Sequence, residues 1–597
     1  MPSASGGPRD VLVVGWYPGA DDPIAGRFIA DQAAALLATG RVRPLVASFE
    51  PFWLHGDRAL RGAAASAWPG AVRAAAGAGM VPAPVGAFGP PGVPVARIGT
   101  PAGRAPGIGA DNEAQHRERA LLAALEGMDR QYDLVHAHVG YPEGAAAARV
   151  ARRLGIPIVI TEHATYLARI LADPATRARY LEAGRTAARL IAVGRLLADQ
   201  LRAELPELAD RLVVIPNVVD VASFPMVGPA DRDGDELLWV GYRREVKGMD
   251  VLLRAFAGVR AARPATTLRL VGRSTTEDEE AGWHAMAAEL GVAEAVRFDP
   301  PTDRAGVAAA MARAGLFVHP SRRETFGIVA AEALASGLPV VATDSGGVTE
   351  VLGDDPDELG ALVPAGDPHA LAAAILRVLD RRPSFDPQVL RAFVEARYGA
   401  PVVAGRIADL YDGVVAAMPA DRRRRAAEPG TGRALSASPA APPMVLVAFD
   451  RPALDRLLPR CPPWLLAGLI VVTRGEPVTG VRATESIPAA IDSPLVELLG
   501  AGPAGGVRQL IRSPLRGVGR RWRRARLRAA VMPALSAAIE HGLGLSADGR
   551  PVILCLGGVD VAASAPVVEA GLAVFAPGGL RWLGDQRWAD AAPSSSP

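Results

Sequence analysis

Short apolar runs, many of them β-branched, recur along the chain, each followed by an alanine-rich stretch long enough for a helix, and this alternation constrains the fold more than any other feature. The runs are VLVVGWY from residue 11, VRPLVASF from 42, DLVHAH from 133, IPIVITEH from 156, LIAVG from 190 and RLVVIPN from 211. Apolar strands with helices between them imply a parallel sheet covered on both faces. After Asn217 a segment containing Pro, Gly and Asp leads to Asp235, and the pattern restarts: LLWVGY from 237, LRLVG from 268, VRF from 296, LFVHP from 316, PVVAT from 339 and GALVP from 360. The expectation is two Rossmann-like, doubly wound α/β domains, over 1–220 and 235–400, that face a cleft. Ligands in such folds sit at the carboxyl ends of strands.

The chain has 597 residues, and single cores stop growing near ~250–300 residues, so further parts are expected. Residues 401–420 would form a closing helix that packs back on the N-terminal domain. DRRRRAAEPGTGRALSASPAAPP, 421–443, is a linker by composition. MVLVAFD, LAGLIVVTR and PVILCLGG within 444–597 suggest a smaller α/β domain whose role these residues do not specify. Residues 56–110, rich in Ala, Gly and Pro, look like a flexible insertion in the first domain. A net charge of +2 leaves no global pull toward nucleic acid. The cysteines are Cys461 and Cys555 alone, which offers neither a disulfide framework nor a cysteine zinc site and fits a reducing cytoplasm. The apolar run near the N-terminus is too short for a signal peptide, and Val552–Leu580 is interrupted by Asp560 and Glu569, a poor membrane span.

SRRETFGIVAAEALASG, 321–337, places Glu324 before a turn and Glu332 inside the helix that follows. The helix start between them has free N–H groups and a dipole that favour an anion. This suits a sugar nucleotide, with one carboxylate for sugar hydroxyls, amides for the diphosphate and the other carboxylate for ribose. Two solvated glutamates would be the plainer reading if the pair stood alone. It is accompanied by WVGYRREVKGMDVLLRAF, 239–256, in which Lys247 is the single lysine of the chain. In a protein that uses arginine everywhere else, a lysine in a loop after a strand suggests a demand for a compact ammonium, which binds phosphate as a point charge.

Over residues 10–415 or so, these stretches resemble the retaining glycosyltransferases of the two-domain GT-B fold, in particular the family 4, group 1 type. WYPGADDPIAGRF looks like that family's first-strand loop, IPNVVD its crossover, and GLPVVATDSGGVTEV with GALVPAGDPHALAAAI its closing stretch, while ETFGIVAAE fits its paired-glutamate motif and VKG its phosphate loop. The resemblance implies transfer of a sugar, of the hexosyl type, from a nucleotide diphosphate donor to a saccharide, glycolipid or small-molecule acceptor, as in polysaccharide or glycolipid biosynthesis. It implies no metal and no redox cofactor. Carried over residue by residue, Glu324 would bind sugar hydroxyls, Phe326, Gly327 and Ile328 would offer backbone amides, Glu332 would hold the ribose and Lys247 would neutralise the leaving diphosphate. His163 in TEHATY matches a histidine near the transferred sugar, and Gly26 lies in the loop that approaches phosphate and acceptor. No carboxylate nucleophile is evident, so a same-face displacement is the expectation, with leaving-group stabilisation by positioned cations and amides.

The sequence departs from that family in places. Tyr242 stands where an arginine is usual, so either the neighbouring Arg243 takes over the phosphate contact or one contact is missing. NVVD replaces the usual Asn-Gly-Val-Asp, and Gly194 replaces a common serine. His136 and His138 close one strand, and one is expected to face the cleft and the other the core. Asp231 and Asp233 form an Asp-x-Asp ahead of a strand instead of after one, so they are read as solvent-exposed and metal-free. Gly15, Gly19 and Gly26 lack dinucleotide-fingerprint spacing. Arg516, Arg520, Arg524 and Arg528 stand four apart near Trp522. As a helical stripe they would suit anionic lipid at the inner membrane face, although a solvated helix face is the preferred reading. Two alternatives stay open: a catalytically weak scaffold that binds a partner, and a nucleotide-sugar epimerase of the same shape.

Overall fold

The computed structural model describes residues 7–18, 26–53, 92–102, 110–128 and 130–419, together with five short strands between 444 and 575. The first sheet has seven parallel strands: β1 (Arg9–Val14), β2 (Val42–Trp53), β3 (Val95–Ala102), β4 (Leu134–His138), β5 (Ile158–Glu162), β6 (Arg189–Ala192) and β7 (Leu212–Val214). Their order is β3-β2-β1-β4-β5-β6-β7. The second sheet has six: β8 (Asp233–Tyr242), β9 (Thr267–Arg273), β10 (Val296–Asp299), β11 (Ala314–His319), β12 (Val340–Asp344) and β13 (Gly360–Pro364), in the order β10-β9-β8-β11-β12-β13. Both are Rossmann-like, and together they make the GT-B arrangement of two domains around a cleft. In each the chain winds outward from its first strand and then returns to the other side. The strand order therefore reverses between β1 and β4 and again between β8 and β11, the places where such sheets open a crevice.

The near-continuous apolar runs follow from burial on both faces, since every residue of β4, β5 and β11 is buried. A third parallel sheet is formed by β14 (Met444–Ala448), β15 (Leu469–Arg474), β16 (Ala483–Ile487), β17 (Val552–Leu556) and β18 (Ala573–Phe575), in the order β16-β15-β14-β17-β18. The stretch expected as an insertion needs correction, because Val95–Ala102 within it is β3, paired among the described residues to β2 alone. Its Gly99 and Pro101 disguised it. An edge strand tolerates both, having ladder bonds on one side only.

The helix Ala400–Ala416 lies against the first sheet, with Val403, Ile407 and Tyr411 in one core with Val11, Leu36 and Val46. Asp412 on that helix pairs with Arg9 and Arg41. The linker 421–443 and the arginine-bearing segment 512–531 lie outside the described residues. Among the described residues no helix is long and apolar enough to cross a membrane.

Gly194 heads the helix Arg195–Glu204 without a side-chain cap. The cap comes from the other domain, where Glu350 Oε1 accepts from the amide of Arg195 and, at 3.3 Å, from that of Leu196. A Cβ on residue 194 would stand 2.8 Å from the Thr325 carbonyl oxygen and 3.1 Å from Glu350 Oε1. The missing serine thus makes room for a carboxylate that joins the two domains.

Candidate functional site

At the second switch point β8 ends in Tyr242 and the chain passes through the turn Glu245–Lys247 to Gly248, whose φ of 71° opens the helix Met249–Ala262. A Cβ on Gly248 would lie 1.9 Å from the Pro320 carbonyl oxygen, so only glycine lets this loop press on the one after β11. The result is Lys247 Nζ at 2.6 Å from Glu324 Oε2. Glu324 is fixed by its backbone, donating to Ser345 O at 2.9 Å and accepting from the Gly347 amide at 2.9 Å. Burial pushes its carboxyl up, but the Lys247 ammonium and His319 pull harder and bring it down to about 2. Gly327, with φ 92°, then starts the helix Ile328–Ala335 without a side-chain cap. An uncapped start leaves its first amides for an anion. Phe326 is buried with its ring edge-on to Tyr398, 5.2 Å between centroids.

Glu332, four residues into that helix, behaves oppositely. Burial pushes its carboxyl up to about 8 against the pull of Arg304, whose Nη2 is 3.9 Å away. Arg304 also binds Asp31, on the first-domain helix Arg27–Ala38, and Asp220 of the crossover at 2.9 Å. Neighbouring groups with such divergent environments serve different tasks. Gly26 caps the helix carrying Asp31, and with φ 71° it folds back so closely that a Cβ would stand 2.4 Å from Trp16 O.

His163 lies across the cleft, its carbonyl accepting from Thr325 Oγ1 at 3.1 Å. Its Nε2 is 2.9 Å from His138 Nδ1, and its ring is 4.4 Å from that of Phe28. Burial lowers it to about 3, so it is a neutral imidazole. His136 and His138 do not divide between cleft and core as expected: residues two apart share one strand face, and their ring centroids lie 4.5 Å apart with the planes tilted by 31°. His136 is held between Thr161 and Tyr411, again neutral through burial.

Lys247, Glu324, Phe326, Gly327 and Ile328 thus gather on one edge, with His163 opposite and Glu332 linked through Arg304 to the helix that Gly26 heads. Arg243 is not among them. Its guanidinium takes Glu280 in two bonds of 2.7 and 3.0 Å and the carbonyls of Leu270 and Asp299 at 3.1 Å, with its side chain 5% exposed. Four of its N–H groups are thus taken by acceptors of the protein itself. Arg273, the register partner of Tyr242 on β9, instead lays its guanidinium 5.6 Å over the Tyr242 ring. Asp231 and Asp233 are exposed at the start of β8, the opposite edge of the sheet from Lys247. Arg304, Asp31 and Arg273 carry no local motif, and sequence reading missed them.

Residues 234–381 match a family model described as glycosyl transferases group 1, and residues 81–223 one described as glycosyltransferase family 4. A phosphatidyl-myo-inositol mannosyltransferase of Mycobacterium leprae is 38% identical over 233 residues, covering 37% of this chain and 59% of that protein. A D-inositol 3-phosphate glycosyltransferase of Thermomonospora curvata is 32% identical over 317 residues, 47% of this chain and 72% of that protein. The chain spans roughly three fifths of the length of the first curated relatives it matches, 59% and 62%. A solved sucrose-phosphate synthase of Thermosynechococcus elongatus superposes with a TM-score of 0.52 at 20% identity, over 69% of this chain and all of that one, and shares the fold.

Proposed function

The chain belongs to glycosyltransferase family 4, group 1, and from that premise we propose that it is a retaining transferase acting on a nucleoside diphosphate sugar. The observation that carries the reading is the Lys247–Glu324 contact of 2.6 Å beside an uncapped helix start at a strand-order reversal. As the bond from the anomeric carbon to the diphosphate oxygen breaks, the electron pair goes to that oxygen. Lys247 and the amides of Phe326, Gly327 and Ile328 take up the charge, acting where it develops. The acceptor hydroxyl forms the new bond on the same face, and its proton leaves with the diphosphate. Glu324, ionised, orients the sugar hydroxyls; Glu332 holds the ribose; neutral His163 lines the transfer point from the first domain. No step calls on a metal ion or a redox cofactor.

The test is slow hydrolysis of UDP-, GDP- and ADP-sugars by the purified protein, with Lys247→Ala and Glu332→Ala as controls. Turnover of one donor, weakened by both substitutions, supports the reading. Absence of any nucleotide-sugar turnover refutes it. A second reading, a binding scaffold with weak or no catalysis, is favoured by one observation: Arg243 is consumed by Glu280 and cannot supply the phosphate contact that Tyr242 lacks. Nucleotide binding without release from the sugar would select it.

A further inference from the structure

A nucleoside diphosphate leaves its sugar with the charge of two phosphates, whereas Lys247 is a single cation that already lies 2.6 Å from Glu324. The donor edge therefore calls for a second positive group placed where that charge develops. Most arginines near it are held by other partners. Arg322 is taken by both oxygens of Asp250, at 2.5 and 2.7 Å, and Arg304 is shared among Asp31, Asp220 and Glu332. Arg243 is bound by Glu280 and two carbonyls.

The pleat of the sheet explains why Arg243 is turned away and where another guanidinium stands. Side chains alternate between the two faces of a strand, so Tyr242 and Arg243 point to opposite sides. Arg273 is the register partner of Tyr242 on the parallel neighbour β9 and shares its side. It is exposed at the carboxyl end of its strand, on the edge of the sheet that carries Lys247. Two glycines draw these strand ends together: Gly241 and Gly272 have φ of 156° and 144°, and a Cβ on Gly272 would stand 1.8 Å from Gly241 O. Beyond them the Arg243 amide donates to Arg273 O at 2.8 Å, which fixes the backbone that bears the side chain. The Arg273 guanidinium then lies 5.6 Å over the Tyr242 ring.

We propose that Arg273, seated on the Tyr242 ring, is the second cation of the donor site and binds the diphosphate of the nucleotide sugar. An aromatic ring attracts a guanidinium through its flat face, whereas a phosphate is bound along its edge by two N–H groups, so ring and diphosphate can be held at once. Tyr242 then serves as the seat of the cation, and the charge that an arginine at 242 would carry comes from β9. Arg244, also exposed, lies in the irregular stretch between Tyr242 and the turn Glu245–Lys247 and is the natural comparison. The proposal rests on the glycosyltransferase reading.

The experiment is titration calorimetry on the full chain with UDP, GDP and ADP, each beside its monophosphate and its nucleoside, run with the nucleotide-sugar panel. For the diphosphate that binds, Arg273→Gln should raise Kd about ten- to hundredfold, the size of one charged hydrogen-bonded contact, and leave the Kd of the nucleoside unchanged. Arg273→Lys should recover part of the loss, because the charge returns without the fork. Adding Tyr242→Arg to Arg273→Gln should recover most of it, since a guanidinium again stands on that side of the sheet; a merely structural role for Arg273 would not be rescued in this way. An unchanged diphosphate Kd in Arg273→Gln, an equal rise for the nucleoside, or a loss carried by Arg244→Gln in its place overturns the proposal. Donor turnover that Arg273→Gln leaves intact removes this assignment alone. Diphosphate binding that Arg273→Gln weakens, without turnover of any sugar donor, removes the transferase reading and leaves Arg273 as a diphosphate ligand. Absence of any diphosphate binding removes both.

Discussion

At the carboxyl edge of the second sheet the chain sets a cation against a carboxylate, Lys247 with Glu324, beside a helix start that nothing caps. At the matching edge of the first sheet it sets two exposed rings, Trp16 and Tyr166, around Glu143, a carboxylate already bound by Arg117. The plan is the same, two crevices at strand-order reversals, but the charge is distributed differently. Lys247 keeps 28% of its side chain exposed, so its charge is available to an anion that must enter and leave. Arg117 is 9% exposed and its partner Glu143 2%, so that charge serves the frame around the turn Gly140–Gly144 and leaves the surface to the rings. On the proposed reading, one edge serves to stabilise a leaving group, whereas the other holds a shape.

The sharpest way to break this contrast is to remove a cation from each edge. Arg117→Met would leave Glu143 buried without its cation, a loss of about 3–5 kcal/mol that the urea midpoint would show. A shift below about 1 kcal/mol, the range of exposed pairs, would mean that the frame is not held as the geometry indicates. Lys247→Ala removes the main cation that holds buried Glu324 ionised, so it too should lower the urea midpoint, by less than Arg117→Met because Lys247 is 28% exposed. It should also cut donor turnover about 10²–10³-fold, the cost of one lost transition-state contact. Lys247→Arg should recover little, because the loop held by Gly248 is shaped for a compact ammonium. Unchanged kcat in Lys247→Ala would dissolve the distinction between the two edges.

Legibility in the sequence differs between the edges for a physical reason. The sheets were readable wherever strands are buried on both faces, and the edge strand β3 was missed because its Gly99 and Pro101 look like loop. Glu324, Gly327 and Glu332 fall within one strand, turn and helix, so their order along the chain mirrors their order in space. Arg243 misled because its partner Glu280 lies on a helix 37 residues away. Arg304 and Asp31, 273 residues apart, meet only once two domains close. Trp16 and Glu143 are likewise joined by topology alone, through the adjacency of β1 and β4.

The two glutamates of the donor edge offer a finer test. Glu324, held near 2, keeps its charge throughout any ordinary assay, and its contribution to stability, present above 4.5, is lost only as pH falls from there toward 2. Glu332, raised from 4.5 to about 8, keeps its proton in the folded state, so its contribution to stability declines as pH rises from 4.5 to 8. On the proposed role of Glu332, ribose hydroxyls would donate to the ionised form, so donor binding would expel that proton. Nucleotide affinity should therefore rise with pH, by up to about tenfold per unit below 8, and level off above it. Glu332→Gln should flatten the profile; a slope that persists in this variant would assign it to another group.

The smallest expected effect concerns the contact between the domains that hold the two edges. Glu350 caps the helix Arg195–Glu204 from across the cleft, so Glu350→Ala should cost about 1 kcal/mol, as for other lost N-caps. Restoring a local cap by Gly194→Ser would ordinarily repair such a loss. Here the added Cβ would stand 2.8 Å from the Thr325 carbonyl oxygen, a backbone atom beside Glu324 that cannot swing away. The serine can cap its helix only if the domains part, which separates the donor edge from His163. In solution scattering Gly194→Ser should thus enlarge the particle and raise the KM for donor, whereas Glu350→Ala should lower stability with a smaller change in size. Equal behaviour of the two variants would mean that the carboxylate cap, and not the close approach permitted by glycine, is what brings the two crevices together.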